Sequence, residues 1–264
     1  MRVELSYATL RQALKGKRGN YRFTQGVFAF DRGWRPLLDD VRDVDLKWRR
    51  KSKDRASNDR GDHLVGVQTL TVAPGTYHFA VEVADLIGDG ISVFRSTASL
   101  GGGEDLAVSD LLLASKITPR GDVVTSREDL IISPNPIRYY TPKTPIHVYF
   151  EIYNLVKDDF GRTRYRLAYE LAKPKGRLDP ARFAVLDDSQ RLRFEKDLSQ
   201  TLSTTGDQTR RVEAEYEGET PDDFTYLEID VSQIPRGIYA LNIEVEDLTS
   251  GQTSRKGTVL RVDR

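Results

Sequence analysis

The fold is decided by the stretch Pro74-Gly75-Thr76-Tyr77-His78-Phe79-Ala80-Val81-Glu82-Val83-Ala84-Asp85-Leu86. Nearly the same pattern returns as Arg236-Gly237-Ile238-Tyr239-Ala240-Leu241-Asn242-Ile243-Glu244-Val245-Glu246-Asp247-Leu248, with Gly, Tyr, Glu, Val, Asp and Leu at identical offsets. Apolar and polar residues alternate along the first copy, as they do in a β-strand that buries one face. A recurrence of this length indicates two units of similar architecture.

A weaker repeat links the beginning of the chain to its middle, because the apolar residues of 3–10 have the spacing of those in 148–155. Each unit is therefore expected to open with a long strand and to close with a Gly-x-Tyr strand, an Asp-Leu hairpin and a last strand. About seven strands in roughly 110 to 130 residues are typical of immunoglobulin-like or fibronectin-like sandwiches. We predict an all-β protein of two tandem immunoglobulin-like or fibronectin-like β-sandwich domains.

The boundary between the units is predicted from proline. Pro134 and Pro136 follow each other closely, and proline cannot donate a hydrogen bond to a central strand. We expect a first sandwich at residues 1–116, a linker at 117–134 and a second sandwich at 135–264.

Composition excludes several classes of function. The 40 Lys and Arg residues balance 40 Asp and Glu residues, so the chain lacks the net positive charge of a nucleic-acid-binding protein. There is no cysteine, which excludes disulfides, thiolate nucleophiles and iron–sulfur clusters. No apolar stretch is long enough to span a membrane, and residues 1–7 alternate like a strand and lack the apolar core of a signal peptide.

The candidate metal and catalytic residues do not form a recognisable motif. The chain has three histidines, and His63, His78 and His147 are isolated from one another, without the close pairs that build metal sites. His78 is expected to face solvent or to pair across strands. Ser109-Asp110 has no neighbouring histidine in sequence. We expect no enzyme activity, metal or cofactor, although residues distant in sequence can still assemble a site.

Four loop segments suggest binding functions but have ordinary structural explanations. Asp85 and Asp247 invite a calcium site, but an Asp that begins a hairpin turn is the more ordinary interpretation. The glycines 101–103 lack the Lys-Ser/Thr of a phosphate loop. The basic segment 47–60 is interrupted by aspartates, so we expect no nucleic-acid binding there.

One strand carries a candidate ligand surface. His147, Tyr149, Glu151 and Tyr153 alternate with apolar residues and project to one side. Such an aromatic and polar platform suits a sugar or a peptide. The alternative is that these side chains pair across strands or pack against the linker, as aromatic cross-strand pairs commonly do.

Several motifs resemble those of a bacterial protein family. The stretches Asn135–Tyr140, His147–Leu155 and Leu106–Leu113, together with the two Gly-x-Tyr strands that end in Asp-Leu, are similar to the β-rich region of GWxTD-domain proteins. The Gly-Trp-x-Thr-Asp motif itself is absent, and nothing is transferred from Gly33-Trp34. The resemblance implies a periplasmic or secreted accessory region and no catalytic residues.

Two hypotheses of function follow. The first is a non-enzymatic tandem sandwich that acts as a scaffold or protein-interaction region of an exported bacterial protein, with a protein partner. The alternative is a carbohydrate- or peptide-binding accessory module of a secreted enzyme. In both, a sheet edge left open by the sandwich is a natural binding element, because main-chain groups there can pair with another strand.

Overall fold

A computed structural model describes residues 2–10, 20–47, 63–87, 90–101, 103–173 and 210–263. These ranges contain sixteen β-strands and one turn of 3-10 helix at Arg127–Asp129, and they contain no α-helix. The prediction of an all-β protein is confirmed. The described chain divides into two compact units, which we call unit 1, ending at Gly101, and unit 2, beginning at Gly103.

Unit 1 is a sandwich of a two-stranded and a four-stranded sheet. Its strands are β1 (Arg2–Leu10), β2 (Asn20–Asp31), β3 (Pro36–Lys47), β4 (His63–Thr71), β5 (Gly75–Asp85) and β6 (Ile91–Leu100). β1 pairs with β4, and the larger sheet has the order β3-β2-β5-β6. Leu70 of β4 packs with Ala29, Tyr77 and Phe79 of the other sheet, so the two sheets share a core.

Unit 2 is a sandwich of two five-stranded sheets. Its strands are β7 (Ala107–Val108), β8 (Leu112–Pro119), β9 (Leu130–Pro134), β10 (Tyr139–Tyr140), β11 (Ile146–Tyr153), β12 (Thr163–Ala172), β13 (Arg210–Gly218), β14 (Asp223–Ile229), β15 (Gly237–Asp247) and β16 (Thr253–Val262). One sheet has the order β10-β16-β15-β12-β13. The other has the order β14-β11-β8-β9, with β7 also paired to β11.

The core of unit 2 is built from alternate residues of both sheets. Phe150 and Ile152 of β11 are fully buried against Leu241 and Ile243 of β15 in one apolar cluster. This is the burial that the period-two pattern predicts for facing strands.

The two units have the same strand order, which confirms the predicted internal repeat. The order β3-β2-β5-β6 of unit 1 corresponds to β13-β12-β15-β16 of unit 2, and the antiparallel pair β1–β4 corresponds to β11–β14. The repeated Gly-x-Tyr stretches are β5 and β15, and the weaker repeat aligns β1 with β11. Unit 2 adds β8 and β9 beside β11, and β10 beside β16.

The structure corrects the prediction of a linker at residues 117–134. Residues 117–134 contain the end of β8, the 3-10 turn and β9, and β8 and β9 pair with each other in the sheet of β11. The division of the chain falls between Gly101 and Gly103, earlier than the expected position near residue 116. Pro134 is compatible with a strand because β9 lies at the edge of its sheet, where a missing donor does no harm.

Candidate functional site

The four predicted ligand residues do lie together on one face of β11. The Tyr149 hydroxyl donates a hydrogen bond of 2.7 Å to Oε1 of Glu151, and the Tyr153 hydroxyl donates to Oε2 of the same carboxylate. Glu151 therefore joins the two tyrosines. His147 lies further along this strand.

The face is not the open platform that the sequence predicted. Only 5% of Tyr149 and 8% of His147 are exposed, and the guanidinium of Arg127, in the 3-10 turn between β8 and β9, lies over the Tyr149 ring at 5.3 Å from its centroid. Tyr149 packs in an apolar cluster with Ile117 and Leu130, residues of the expected linker. Packing against that segment was the alternative interpretation, and it holds for Tyr149. Glu151 and Tyr153 remain half-buried, and ligand binding by the four residues stays a prediction.

Burial also controls the chemistry of these tyrosines. Burial raises the pKa of Tyr149 and of Tyr153 far above the ordinary value, and the hydrogen bond to the Glu151 carboxylate raises each further. Both hydroxyls are therefore neutral donors, suited to hold Glu151 in place rather than to act as bases.

The other candidates from the sequence have structural roles in the described residues. The carboxylate of Asp85 accepts the backbone N–H of Ile87 at 2.9 Å, and Asp247 accepts that of Thr249 at 2.9 Å, as hairpin aspartates do. Ser109 accepts the backbone N–H of Glu151 at 2.9 Å. The side chain of His63, glycine 102 and residues 48–60 of the basic segment lie outside the described residues. No cluster of three or more His, Asp or Glu able to hold a metal occurs in the ranges that the structure describes.

Unit 1 carries a different cluster, which the sequence analysis missed. A groove of about 630 Å³ lies on the outer face of its four-stranded sheet, and we call it the aromatic groove. Its principal lining side chains come from β2, β5, β6 and the turn after β2: Phe28, Phe30, Trp34, His78, Glu82, Arg95 and Thr97. Outward positions of a sandwich sheet are normally polar, so two phenylalanines at alternate outward positions were the available signal.

Trp34 is the centre of the aromatic groove. Its indole stacks on the His78 ring, with the ring centroids 4.1 Å apart and the planes 5° from parallel. The centroid of the Phe30 ring lies 5.8 Å from that of the indole. Nδ1 of His78 shares a hydrogen bond of 2.9 Å with Oγ1 of Thr97, which orients the imidazole. His78 is thus a cross-strand partner, one of the two predicted roles. Trp34 itself remains 63% exposed.

The turn that presents Trp34 is held by Asp31. The Asp31 carboxylate accepts the backbone N–H groups of Gly33 and Arg35 at 2.8 and 2.9 Å, and the Trp34 N–H donates to the Asp31 carbonyl at 2.9 Å. The hydrogen bond from the Arg35 backbone holds the pKa of Asp31 below its usual value. The tight turn places Trp34 at φ 64°, in the left-handed region.

Unit 2 contains the same turn with glycine at that position. Asp158 accepts the N–H groups of Phe160 and Arg162, each at 2.9 Å, and the N–H of Gly161 donates to its carbonyl, with Gly161 at φ 79°. A side chain in the left-handed region costs about 1 to 2 kcal/mol, which glycine avoids. Trp34 therefore occupies a strained position whose natural occupant is glycine, and strain of this kind clusters at functional sites.

Comparisons with known proteins add little to these observations. No family model matches the chain, and no curated protein matches it. Among solved structures, the chain is similar to a Corynebacterium diphtheriae protein to which membrane anchoring has been ascribed, with 10% identity and a TM-score of 0.25. The alignment covers 100% of this chain and 56% of that protein, so the chain spans little more than half of its length. None of the described residues forms a helix of the length and apolarity that crossing a membrane requires.

Proposed function

We propose that this chain is a non-enzymatic scaffold or protein-interaction region, and that its binding element is the edge strand β6 of unit 1. The observation that carries the proposal is that, among the described residues, β6 pairs with β5 alone and holds a single charged side chain, Arg95. A long, nearly uncharged edge strand is a template for an added strand.

The register identifies the main-chain groups that a partner would use. The Asp85 N–H donates to the Gly90 carbonyl at 2.9 Å, and the antiparallel register then pairs the even-numbered residues of β6 with β5. The N–H and C=O groups of the odd-numbered residues Ile91, Val93 and Arg95 consequently point away from β5. Ile91 and Val93 are also 73% and 45% exposed.

Two other long edge strands, β3 and β13, are protected by charge, whereas β4 carries no Asp, Glu, Lys or Arg. β3, at the opposite edge of the same sheet, carries Asp39, Asp40, Arg42, Asp43 and Asp45. β13 of unit 2 carries arginine and glutamate that form ion pairs, such as Arg211 with Glu213 at 2.6 Å and Arg166 with Glu215 at 3.0 Å. Charged edge strands resist pairing with other chains, so β6 differs from both.

Unit 2 provides an internal precedent for strand addition at this edge. Its β16 corresponds to β6, and β10 lies beside it in parallel. The N–H of Arg261 donates to the Arg138 carbonyl and that of Asp263 to the Tyr140 carbonyl, each at 2.9 Å. The fold thus accommodates one more strand where β6 ends its sheet.

The expected partner is an extended segment of another protein. Apolar side chains on one of its faces would pack beside Phe94, which is 38% exposed, and a carboxylate on its other face would lie beside Arg95. Arg95 has no hydrogen bond or ion pair with any residue that the structure describes, so it is available for that charge.

A synthetic peptide tests the proposal. We would titrate the full chain with a short peptide of alternating valine and threonine that carries one central glutamate. Fluorescence anisotropy of the peptide and amide hydrogen exchange of the protein would be followed. Protection of Ile91, Val93 and Arg95 is expected. A backbone N-methylated version of the peptide is the matched control, and Val93→Pro removes one outward N–H without touching the ladder to β5. Equal binding of both peptides, or undiminished binding by Val93→Pro, contradicts strand addition.

We also propose that the sandwiches are of the immunoglobulin-like type and belong to an exported bacterial protein related to the GWxTD-domain proteins. Support for the first comes from Tyr77 and Tyr239, which both form the tyrosine corner of such folds. Support for the second is the motif similarity alone. Recovery of the native protein from periplasmic or culture-medium fractions agrees with export, whereas recovery from the cytosol contradicts it.

A second candidate function is a carbohydrate- or peptide-binding accessory module. The aromatic groove of unit 1 favours it more than the β11 face does, because Trp34 is exposed while Tyr149 is buried. Tyr153→Ala separates the two locations. Loss of ligand binding in this variant would return the site to β11, and unchanged binding would remove β11 from consideration.

A further inference from the structure

We propose that the aromatic groove binds a neutral oligosaccharide, with one pyranose ring stacked on the exposed face of Trp34. This inference rests on the accessory-module function, and it shares Arg95 with the strand addition proposed at β6. Four observations support it: the stacking surface, the strained position of Trp34, the balance of charge in the groove, and the fixed position of Phe28.

The stacking surface is flat, exposed and held in place from behind. His78 covers one face of the indole at 4.1 Å in a parallel arrangement, and the hydrogen bond to Thr97 holds the imidazole. With 63% of Trp34 exposed, the opposite face of the indole is open to a ligand. A pyranose ring presents a flat face of C–H groups, which matches the apolar, electron-rich face of an aromatic ring.

The backbone of Trp34 indicates that the ring has a purpose beyond the turn. The equivalent turn in unit 2 has the same hydrogen bonds and places Gly161 at φ 79°, whereas Trp34 is at φ 64°. A turn that needs only a left-handed residue is best served by glycine. Strain of this kind persists where the side chain it carries is used.

The charges in the aromatic groove favour an uncharged, hydroxyl-rich ligand. Arg95 and Glu82 both line it, and neither side chain has a hydrogen bond or ion pair with another described residue. Their opposite charges cancel, so the groove offers no net attraction to a phosphate or a uronate. A carboxylate and a guanidinium can instead accept from and donate to the same sugar hydroxyls, and the hydroxyl of Thr97 lies nearby.

The wall of the groove is set by close packing. A Cβ atom on Gly26 would lie 2.6 Å from Cε2 of the Phe28 ring, which shows that the ring lies directly over this glycine. Phe28 and Trp34 thus present a preformed apolar surface, and preformed sites lose less entropy on binding. Gly26→Ala is expected to displace the Phe28 ring while leaving the backbone ladder of β2 in place.

The test is a titration of the full chain with maltohexaose, cellohexaose, xylohexaose, a charged galacturonate oligomer and a tryptophan-containing peptide. The chain has two tryptophans, so a Trp48→Phe background lets indole fluorescence report Trp34 alone. Calorimetry gives the affinity. We expect at least one neutral oligosaccharide to bind and the galacturonate oligomer not to bind.

Trp34→Gly is the decisive variant, because glycine satisfies the turn while the stacking surface disappears. We expect its affinity for the bound oligosaccharide to fall by more than about tenfold, with the unfolding midpoint retained. Gly26→Ala should weaken binding as well. Phe160→Ala is the matched control, since Phe160 is an exposed aromatic residue in the corresponding turn of unit 2, and its affinity should equal that of the parent protein.

Three results would overturn the proposal: no binding by any neutral oligosaccharide at millimolar concentration, undiminished binding by Trp34→Gly, or binding of the aromatic peptide alone. The strand-forming peptide described for β6 is titrated into the same samples. If that peptide binds Trp34→Gly as it binds the parent protein while no sugar binds the parent, the carbohydrate inference fails and strand addition stands.

Discussion

The hydroxyl of Tyr239 donates a hydrogen bond of 2.6 Å to the carbonyl oxygen of Pro235, four residues earlier in the chain. Tyr77 makes the same bond, also of 2.6 Å, to the carbonyl of Ala73 in unit 1. Both rings are buried at the start of the corresponding strands β5 and β15. These two corresponding tyrosines therefore hold the backbone in place at the start of β5 and of β15.

Replacing either corner tyrosine by phenylalanine should destabilise its own unit. Each change removes one hydrogen bond from a buried ring, so we expect the free energy of unfolding to fall by about 1 kcal/mol. Urea unfolding of Tyr77→Phe and Tyr239→Phe measures the effect. Tyr226→Phe is the control, because the Tyr226 ring is 39% exposed. Equal stability of all three variants would show that the corner bonds contribute nothing.

The buried carboxylate of Asp247 should make unit 2 sensitive to acid. Burial opposes its ionisation, but hydrogen bonds from Val156, Ser250 and Thr249 outweigh that effect and hold the pKa of Asp247 below its ordinary value. The unfolded chain then takes up a proton at higher pH than the folded one. This contribution to stability is present above the ordinary aspartate pKa of about 3.9 and is lost as the pH falls through the folded value.

Asp247→Asn tests that contribution. The amide cannot accept all of these hydrogen bonds, so we expect a loss of about 2 kcal/mol at neutral pH and a shallower decline of stability below a pH of about 4. Chemical unfolding at several pH values measures both. Asp159→Asn, at an exposed position of the same unit, is the control for the loss of one carboxylate. A parallel decline in the Asp247→Asn and parent proteins would locate the acid sensitivity elsewhere.

A side chain at Gly161, the left-handed position of the Asp158 turn, should destabilise unit 2. Gly161 is at φ 79° and a Cβ atom there would have no neighbour within 4 Å, so Gly161→Ala introduces backbone strain alone. We expect a loss of about 1 to 2 kcal/mol in the free energy of unfolding. Gly121→Ala is equally uncrowded but lacks a positive φ, and it should be neutral or slightly stabilising. Thermal or urea unfolding that ranks the two variants equally would contradict the strain at this turn.

Four tyrosines of unit 2 should resist ionisation until the protein unfolds. Burial raises the pKa values of Tyr140, Tyr149, Tyr153 and Tyr165, and carboxylate hydrogen bonds raise those of the last three further. Since the unfolded tyrosines ionise first, stability should be intact below a pH of about 10 and should fall above it. Ultraviolet absorbance of tyrosinate, followed together with circular dichroism, measures the coupling.

Glu151→Gln provides the matched variant for this titration. Removing the charge that Tyr149 and Tyr153 face should let both ionise at lower pH, while Tyr140 and Tyr165 are unaffected. Full ionisation of the parent protein near a pH of about 10 without loss of structure would show that these hydroxyls are not buried as described.

Local patterns predicted much of the fold. Alternation of apolar residues in 76–84 and 146–152 identified β5 and β11, and the recurrence of Gly-x-Tyr and Asp-Leu identified corresponding strands in two units. These features are local, because side chains of a strand alternate between its faces whatever its neighbours are, and because an aspartate at a hairpin bonds the next backbone groups.

The same reasoning failed where residues distant in sequence decide the environment. Alternation placed Tyr149 on the outer face of β11, but only the tertiary structure brings Leu130 and Arg127 against its ring. The proline-rich stretch looked like a linker, yet Pro134 ends an edge strand, where a missing donor is tolerated.

The sequence by itself determined the strands, the hairpins and the twofold repeat of this protein. The strands and hairpins depend on near neighbours in the chain, and the repeat is a recurrence of their pattern. Only the tertiary structure decided which surfaces remain open. Trp34 lies in the turn after β2 and His78 lies on β5, so their rings meet only because β2 and β5 pair. The outer edge of β6 is open only because no described strand lies beyond it. Exposure is a property of the packed sheets rather than of any single segment, and both proposed binding functions depend on it.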